Sequence, residues 1–129
     1  MPVTVITGDT RGIGAAVAQR LAAAGHDLVL GYRRDAAAAE ATVEIVRAHG
    51  VACTNVAADL TTDDGVEALF AAAGRLTGLV NNAGATFRYA PLAQTPSDEI
   101  RRTIETNLTA AVLDERRAAS PRPQTRSPR

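Results

Sequence analysis

A glycine-rich turn near the start of the chain constrains the fold more than any other feature of the sequence. The short β-branched run Val3–Thr7 leads into this turn, and apolar residues at helical spacing follow it as far as Gly25. The turn holds glycines where a strand must end sharply, where backbone can approach a ligand and where a helix can pack closely on a sheet. These glycines are Gly8, Gly12 and Gly14. The pattern predicts a strand and a helix joined by a turn that can face an anion.

Strands and helices alternate along the remaining chain. Short apolar runs predict further strands at residues 28–30, 51–57 and 79–80. Helical spacing predicts helices at residues 35–49, 61–74 and 95–113, the second beginning with a capping box at Thr61 and the third with an N-cap at Thr95. Strands that alternate with helices at this spacing favour a doubly wound parallel sheet. The expected fold class is therefore α/β.

Composition and charge exclude some classes of partner. The chain has 129 residues and a formal net charge of zero, which gives no electrostatic reason to expect a nucleic acid or an anionic membrane as partner. No apolar run reaches the roughly 20 residues of a membrane-spanning helix. The single cysteine, Cys53, lies in an apolar run and is expected to be a core residue in a reducing compartment. We therefore expect a cytoplasmic location, and the sequence contains no cluster with metal-ligand spacing.

Four motifs in order carry a resemblance to a known family. The segment TGDTRGIG at residues 7–14 resembles the TGxxxGIG fingerprint of the short-chain dehydrogenase/reductase family. Ala58-Asp59-Leu60, the NNAG segment at residues 81–84 and Thr106-Asn107-Leu108 resemble three further motifs of that family, in the same order. The resemblance covers residues 3–113. It implies an incomplete Rossmann-like domain of about four strands at residues 1–113 that binds a nicotinamide dinucleotide, as in oxidoreductases that interconvert a carbonyl and a hydroxyl.

The motif residues fall where a ligand would bind in such a sheet. Gly8, Gly31, Asp59 and Asn82 lie at or just past the carboxyl ends of their predicted strands, where open α/β sheets form a crevice. Ordinary turn chemistry is the alternative for the aspartate and the asparagines. The expected cofactor-binding residues lie in the glycine turn and after the other strands: Gly8, Thr10, Arg11, Gly12, Ile13, Gly14, Tyr32, Arg33, Arg34, Asp59, Leu60, Asn82, Ala83 and Gly84.

Arginines after the second strand bear on the choice of cofactor. An acidic residue there would accept hydrogen bonds from the ribose of NAD, but this chain has Arg33 and Arg34, with Arg11 in the glycine turn. Planar guanidinium groups are suited to a 2′-phosphate, so we expect NADP in preference to NAD. The alternative is that these arginines are solvated turn charges, neutralised by Asp35 and nearby acids.

Asn107 is the candidate catalytic residue. It shares a helical face with Ile100, Ile104 and Ala111, so an amide is expected in an otherwise apolar stripe, where it needs partners. The resemblance implies that this asparagine orders a water connected to a catalytic lysine. The alternative is a structural amide at a broken helical turn.

The family's remaining catalytic groups are missing from the sequence. The resemblance implies a Tyr and a Lys spaced Y-x-x-x-K, in which the lysine lowers the pKa of the phenol. The chain contains no lysine, and Tyr32 and Tyr89 are each followed four residues later by alanine. We therefore expect the isolated chain to bind a cofactor without catalysing the reaction.

The last residues differ in character from the rest. Residues 114–129 carry five arginines and three prolines without apolar periodicity, so they are expected to form a basic tail, disordered from Ser120 onward. The abrupt change near Leu113 suggests a truncation or a reading-frame shift. The fourth strand would then be an exposed edge and the last helix would show its apolar face, which favours a homo-oligomer through that helix. A non-catalytic NADP-binding or assembly module is the alternative function. A third hypothesis, in which the basic tail is an RNA-binding or partner-binding arm, is the least favoured because the tail is short and has no aromatic residues for stacking.

Overall fold

The computed structural model describes residues 2–8, 11–85 and 89–120. In these residues the strands are β1 Val3–Thr7, β2 Asp27–Tyr32, β3 Cys53–Ala57 and β4 Gly78–Asn81. The α-helices are α1 Gly12–Ala23, α2 Ala36–Arg47, α3 Asp63–Ala73, α4 Ser97–Ile104 and α5 Ala110–Ala119. A 3₁₀ turn, Leu92–Gln94, precedes α4, and a π-helical turn, Glu105–Thr109, joins α4 to α5.

The strands form one parallel sheet in the order β3-β2-β1-β4. Every crossover between neighbouring strands therefore contains a helix, as parallel pairing requires. Because all strands run in one direction, their carboxyl ends meet at one edge of the sheet. The α/β fold with a doubly wound parallel sheet is confirmed.

A core lies on each face of the sheet, because successive residues of a strand point to opposite faces. On one face Ile6 packs with residues of α1 and α2, including Ala18 and Val43. On the other face Val5 packs with α3, including Phe70, whose side chain is almost fully buried. The helices thus cover the sheet on both sides and leave its carboxyl edge accessible to a ligand.

The third helix begins one residue later than the sequence predicts. Thr62 is its N-cap, and the Thr62 hydroxyl accepts a hydrogen bond from the Gly65 amide at 3.0 Å. The Thr61 hydroxyl instead donates to Asp59 at 2.6 Å. The aspartate at the end of β3 therefore holds Thr61 in a turn, and the predicted cap at Thr61 is wrong.

The last helical segment also differs from prediction at both ends. The N-cap of α4 is Pro96, and the predicted cap, Thr95, instead donates its hydroxyl to the Pro91 carbonyl at 3.1 Å. Helix α5 continues to Ala119, six residues past the predicted end at Leu113. The first part of the predicted tail is therefore helical, and residues 121–129 lie outside the described residues.

Contacts with α3 explain the longer α5. Arg117 donates to both carboxylate oxygens of Glu67, at 2.6 and 3.0 Å, and its guanidinium lies 5.9 Å from the centre of the Phe70 ring. Leu113 and Ala118 pack against the core on the same face. These contacts join α5 to α3 across about one and a half helical turns.

One side of the fold leaves apolar groups exposed. Strand β4 is at the end of the described sheet. Ile104, Leu108 and Val112 follow one another at four-residue spacing along the last helical segment, with exposures of 50, 61 and 56%. In the described ranges, the helices are too short or too polar to cross a lipid bilayer.

Candidate functional site

Two adjoining cavities lie at the carboxyl edge of the sheet. The inner cavity, of about 70 Å³, is lined by residues at the ends of β2 and β3, including Tyr32, Asp59 and Leu60. The second cavity, of about 340 Å³, is called the arginine cavity because four arginines line it: Arg11, Arg33, Arg34 and Arg102. Residues 83–85 line it as well. Gly8, Arg33, Ala83 and Thr106 border both cavities, which therefore form one groove.

Gly8 and Gly12 have different physical roles in the turn after β1. Gly8 has a φ of +91°, and a Cβ there would lie 2.5 Å from the Cα of Ala83. The sequence predicted that Gly8 allows the chain to leave β1 sharply. The structure shows in addition that the Gly8 backbone lies close to the segment after β4. Gly12 has a φ of +54°, and among the described residues, apart from its chain neighbours and its own helix backbone, no atom lies within 4 Å of the position of a Cβ. A substitution at Gly12 would therefore strain the backbone and extend into open space.

The start of α1 differs from the starts of α2 and α3. Asp35 and Thr62 cap α2 and α3 with side-chain hydrogen bonds, but the described structure gives α1 no side-chain cap and no acid in its first turn. Among the described residues, no side-chain cap therefore competes with an anion for the first amides of α1. Gly14 is buried in this helix and Ile13 is 75% exposed, and neither lines the groove. Thr10 was also predicted to bind cofactor and lies outside the described residues.

Thr7 is a site residue that sequence reasoning missed. It is fully buried, and its hydroxyl oxygen accepts hydrogen bonds from the amides of Asn82 and Ala83, at 3.2 and 3.3 Å. The same hydroxyl lies 3.4 Å from the Val80 carbonyl, to which it donates. Thr7 therefore fixes the exit of β4 against β1. Ala83 and Gly84 line the groove, whereas Asn82 does not and contributes this backbone contact.

Asp59 lies at the predicted site and also forms the turn that was the alternative explanation for its position. Its carboxylate accepts hydrogen bonds from the Thr61 amide and hydroxyl, at 3.0 and 2.6 Å, and lies 3.8 Å from the Arg33 guanidinium. These two hydrogen bonds, with a smaller contribution from Arg33, hold the pKa of Asp59 below its usual range. The carboxylate therefore stays charged at neutral pH, and Asp59 lines the inner cavity.

The arginines expected to select the cofactor are brought together. Arg33 and Arg34 are both exposed and line the arginine cavity. Asp35, the acid expected to neutralise them, lies instead 3.6 Å from Arg11, while its other carboxylate oxygen caps α2 through the Ala38 amide. Both the phosphate-binding hypothesis and the solvated-charge alternative are therefore compatible with where these side chains lie.

Asn107 lies in the π-helical turn, where helices often depart from regular geometry at functional sites. Its amide nitrogen donates to the carbonyls of Ala85 and Thr103, at 2.7 and 2.9 Å, and its oxygen accepts from the Ala85 amide at 3.1 Å. A Cβ on Gly84 would lie 2.6 Å from that oxygen. The amide thus has the partners that its place in an apolar stripe was expected to require. The burial that such a stripe implies is wrong, because Asn107 is exposed in the described structure.

Cys53 behaves as the sequence predicts. Its side chain is buried on one face of the sheet, and burial raises the pKa of the thiol to about 11. Such a thiol stays protonated at neutral pH and is a poor nucleophile. Among the described residues, His, Cys, Asp and Glu side chains form no group that could hold a metal ion.

Known proteins with similar sequences match most of the chain. The family model of the short chain dehydrogenases matches residues 2–121. The 3beta-hydroxysteroid dehydrogenase 1 of Eggerthella lenta is 38% identical over 118 residues, covering 88% of this chain and 45% of that protein. Glucose 1-dehydrogenase 2 of Bacillus subtilis is 31% identical over 113 residues, covering 84% of this chain and 44% of that protein.

Solved structures agree with these sequence relatives. Acetoin dehydrogenase from Salmonella typhimurium superposes with a TM-score of 0.84 at 30% identity, covering 92% of this chain and 51% of that one. An NAD+-bound xylitol dehydrogenase superposes with a TM-score of 0.80 at 30% identity, covering 89% of this chain and 45% of that one. The chain spans about half the length of the relatives it matches. It belongs to the short-chain dehydrogenase/reductase family of oxidoreductases.

Proposed function

We propose that this chain binds a nicotinamide dinucleotide in the groove at the carboxyl edge of the sheet. The observation that carries the proposal is that one cavity is lined by Gly8 of the glycine turn, by Arg11, which directly precedes α1, and by Arg33 and Arg34 after β2. A dinucleotide needs backbone donors and positive charge for its diphosphate and a less polar site for its adenine. The residues present therefore fit such a cofactor.

Each part of the groove suits one part of the cofactor. The start of α1 and Arg11 would hold the diphosphate, and the inner cavity, with Leu60 and Asp59, would hold the adenine. Ala83 and Gly84 border the groove on the other side of Gly8. When bound, the cofactor supplies the hydride in a reaction that interconverts a carbonyl and a hydroxyl.

NADP is the proposed cofactor. Arg33 and Arg34 follow β2, where a 2′-phosphate would lie, and both border the arginine cavity. Guanidinium groups bind a phosphate through two parallel hydrogen bonds, whereas a ribose hydroxyl needs an acceptor. Asp35 is the acid nearest in sequence, but it is held by α2 and by Arg11. The names of the relatives do not distinguish the two cofactors, since one of the solved structures holds NAD+.

For catalysis we propose that Asn107 positions the groove and does not transfer a proton itself. Both hydrogens of its amide nitrogen are directed to backbone carbonyls, and they hold Ala85 against the helix. A carbonyl reduction also needs a proton donor beside the substrate oxygen. This sequence contains no lysine to lower the pKa of a tyrosine. We therefore propose cofactor binding without turnover in the isolated chain.

A non-catalytic assembly module is the second candidate function, and one observation favours it. Ile104, Leu108 and Val112 form a row of exposed apolar side chains along the last helical segment, and β4 is at the end of the described sheet. Such a row is typical of a surface that another chain covers. A homo-oligomer through this helix, in a cytoplasmic setting that keeps Cys53 reduced, is the corresponding proposal.

Calorimetric titration with NADPH and NADH tests the proposed function. Gly12→Val places a branched side chain in the open space beside the start of α1, so it should abolish binding of both cofactors. Gly50→Val is the matched control. Gly50 also has a positive φ, +82°, and among the described residues beyond its chain neighbours no atom lies within 4 Å of the position of a Cβ there. It lies between α2 and β3 and lines neither cavity. Equal binding by the Gly12 variant and the control would refute the site, and no binding by the unaltered chain would refute the function.

A further inference from the structure

We propose that Gly65 positions the wall of the inner cavity, because the absence of a side chain there lets the first turn of α3 close on the backbone of Asp59. This inference rests on the proposed function and adds a positioning residue to the part of the groove that would hold the adenine. Asp59, Leu60 and Thr61 line the inner cavity, whereas Gly65 lines neither cavity. An effect of Gly65 on a bound cofactor is therefore expected to pass through those three residues.

Gly65 lies in contact with the backbone of Asp59. It is the third residue of α3, and a Cβ there would collide with the Asp59 carbonyl oxygen and lie 2.7 Å from the carbonyl carbon. The φ of Gly65 is outside the left-handed region, so its backbone conformation does not require glycine. Glycine is also one of the least favourable residues inside a helix. The close approach to Asp59 is therefore what a glycine at this position allows.

Hydrogen bonds hold the two backbones at this distance. The Thr62 hydroxyl donates to the Asp59 carbonyl at 2.9 Å and accepts from the Gly65 amide at 3.0 Å, so one side chain joins both residues. The Thr62 amide also donates to the Asp59 carbonyl, at 3.2 Å. The Thr61 amide and hydroxyl hold the Asp59 carboxylate. The carbonyl and the carboxylate of Asp59 are thus both fixed by the residues at the start of α3.

A side chain at residue 65 would displace this wall. Nonbonded carbon atoms normally lie about 3.5 Å or more apart, so a separation of 2.7 Å would have to open by roughly 1 Å. The inner cavity has a volume of only about 70 Å³, and Asp59, Leu60 and Thr61 are consecutive residues of its wall. A shift of that size in three neighbouring lining residues would change the shape that a ligand meets.

Calorimetric titration of Gly65→Ala and Gly78→Ala with NADPH and NADH tests the inference. Gly78 is the matched control: its φ is not positive, a Cβ there would lie 2.9 Å from the Thr4 hydroxyl oxygen, and it lines neither cavity. Gly65→Ala should weaken both cofactors about tenfold, since the adenine is common to both. Gly78→Ala should change either affinity by less than about twofold. Equal affinities for the two variants would overturn the inference, as would a loss confined to one cofactor.

The titration of Asp59 gives a readout that general destabilisation would not move. The hydrogen bonds from Thr61 hold the pKa of Asp59 below its usual range, so a displaced turn in Gly65→Ala should raise this pKa toward 3.8. Gly78→Ala should leave the pKa of Asp59 unchanged in the same NMR titration of the carboxyl carbon. An unchanged pKa in both variants would overturn the inference, whether or not a cofactor binds.

A second pair of variants applies if Gly65→Ala does not fold. Thr62→Ala removes the hydroxyl that joins Asp59 to Gly65 without adding bulk, and Thr62 lines neither cavity. This variant should weaken both cofactors about threefold, and Thr62→Ser, which keeps the hydroxyl, should recover that loss. Equal affinities for these two variants would overturn the inference. If the unaltered chain binds neither cofactor, the proposed function fails, and the pKa of Asp59 alone decides whether Gly65 positions the wall.

Discussion

Asp114 is predicted to make the fold less stable as pH rises. This residue of α5 is fully buried, and neither of its carboxylate oxygens has a hydrogen-bond partner among the described residues. Burial raises the pKa of Asp114 from 3.8 to about 6, with no contribution from a charged neighbour. The elements packed against α5 are α3, β4 and the π-helical turn. Their titratable groups are all acids: Asp63, Asp64, Glu67 and Glu105.

The sign and size of the effect follow from the proton balance. Between the two pKa values the unfolded chain loses the proton of Asp114 while the folded chain keeps it, so the free energy of unfolding falls as pH rises. The stabilising protonated form is fully present below pH 4 and is lost above pH 6. A difference of about two pKa units corresponds to roughly 3 kcal/mol. For a small domain this is a large share of the total stability.

Urea unfolding from pH 4 to pH 8 measures this effect. Asp114→Asn keeps the shape of the side chain and removes its charge. The difference in unfolding free energy between the variant and the unaltered chain should therefore grow in favour of the variant by roughly 3 kcal/mol as pH rises from 4 to 7. Glu115→Gln removes an adjacent, exposed charge and serves as the control. A difference between Asp114→Asn and the unaltered chain that does not change with pH would refute the reasoning.

Three further predictions concern the groove. Gly8→Ala should cost about 2 kcal/mol or more in urea unfolding, because it combines a strained φ with a collision against the Ala83 backbone, whereas Gly25→Ala, with a φ of +89° in open space, should cost only about 1 kcal/mol. Equal losses would show that the approach of Gly8 to Ala83 is not needed. Arg33→Ala combined with Arg34→Ala should weaken NADPH about tenfold more than NADH in calorimetry, through loss of contacts to the 2′-phosphate. An unchanged ratio would refute the preference for NADP. The isolated chain should oxidise NADPH no faster than background with a panel of ketones and aldehydes, because the sequence contains no lysine to lower the pKa of a tyrosine. Turnover that survives repurification and disappears in Gly12→Val would contradict this.

The sequence pattern predicted the parts of the fold that depend on residues close together in the chain. Glycine spacing and β-branched runs indicated β1, α1 and the turn between them, and the parallel sheet followed from the alternation of elements. The position of Asp59 at the end of β3 was likewise predicted. The hydrogen bonds of Asp59 to Thr61 were not predicted, because Thr61 and Thr62 can each serve either as a helix cap or as part of a turn after Asp59. In the structure Thr61 belongs to the turn, so α3 begins one residue later than predicted.

Features that depend on tertiary contacts were missed. The charged residues after Leu113 indicated a tail, yet Arg117 reaches Glu67 and Phe70 across the space between two helices, and those contacts extend α5. The charge of Asp114 predicts an exposed side chain, but in α5 this residue is buried. Arg102 gave no sequence signal, since an arginine on a helix is usually a solvated group. Its place at the wall of the arginine cavity depends on tertiary packing that the sequence pattern does not show.

The most direct test of the central claim is a map of backbone amide chemical shifts during titration with NADPH. Binding in the groove should shift the amides of Gly12, Asp59 and Gly84 most, together with those of Arg102 and Thr106. The amides of Gly25 and Gly50, which lie away from both cavities, should move little. Saturating shifts confined to the groove are the result that the account predicts. Shifts centred between α3 and α5, around Asp63 and Arg116, or no saturating shifts at all, would contradict it.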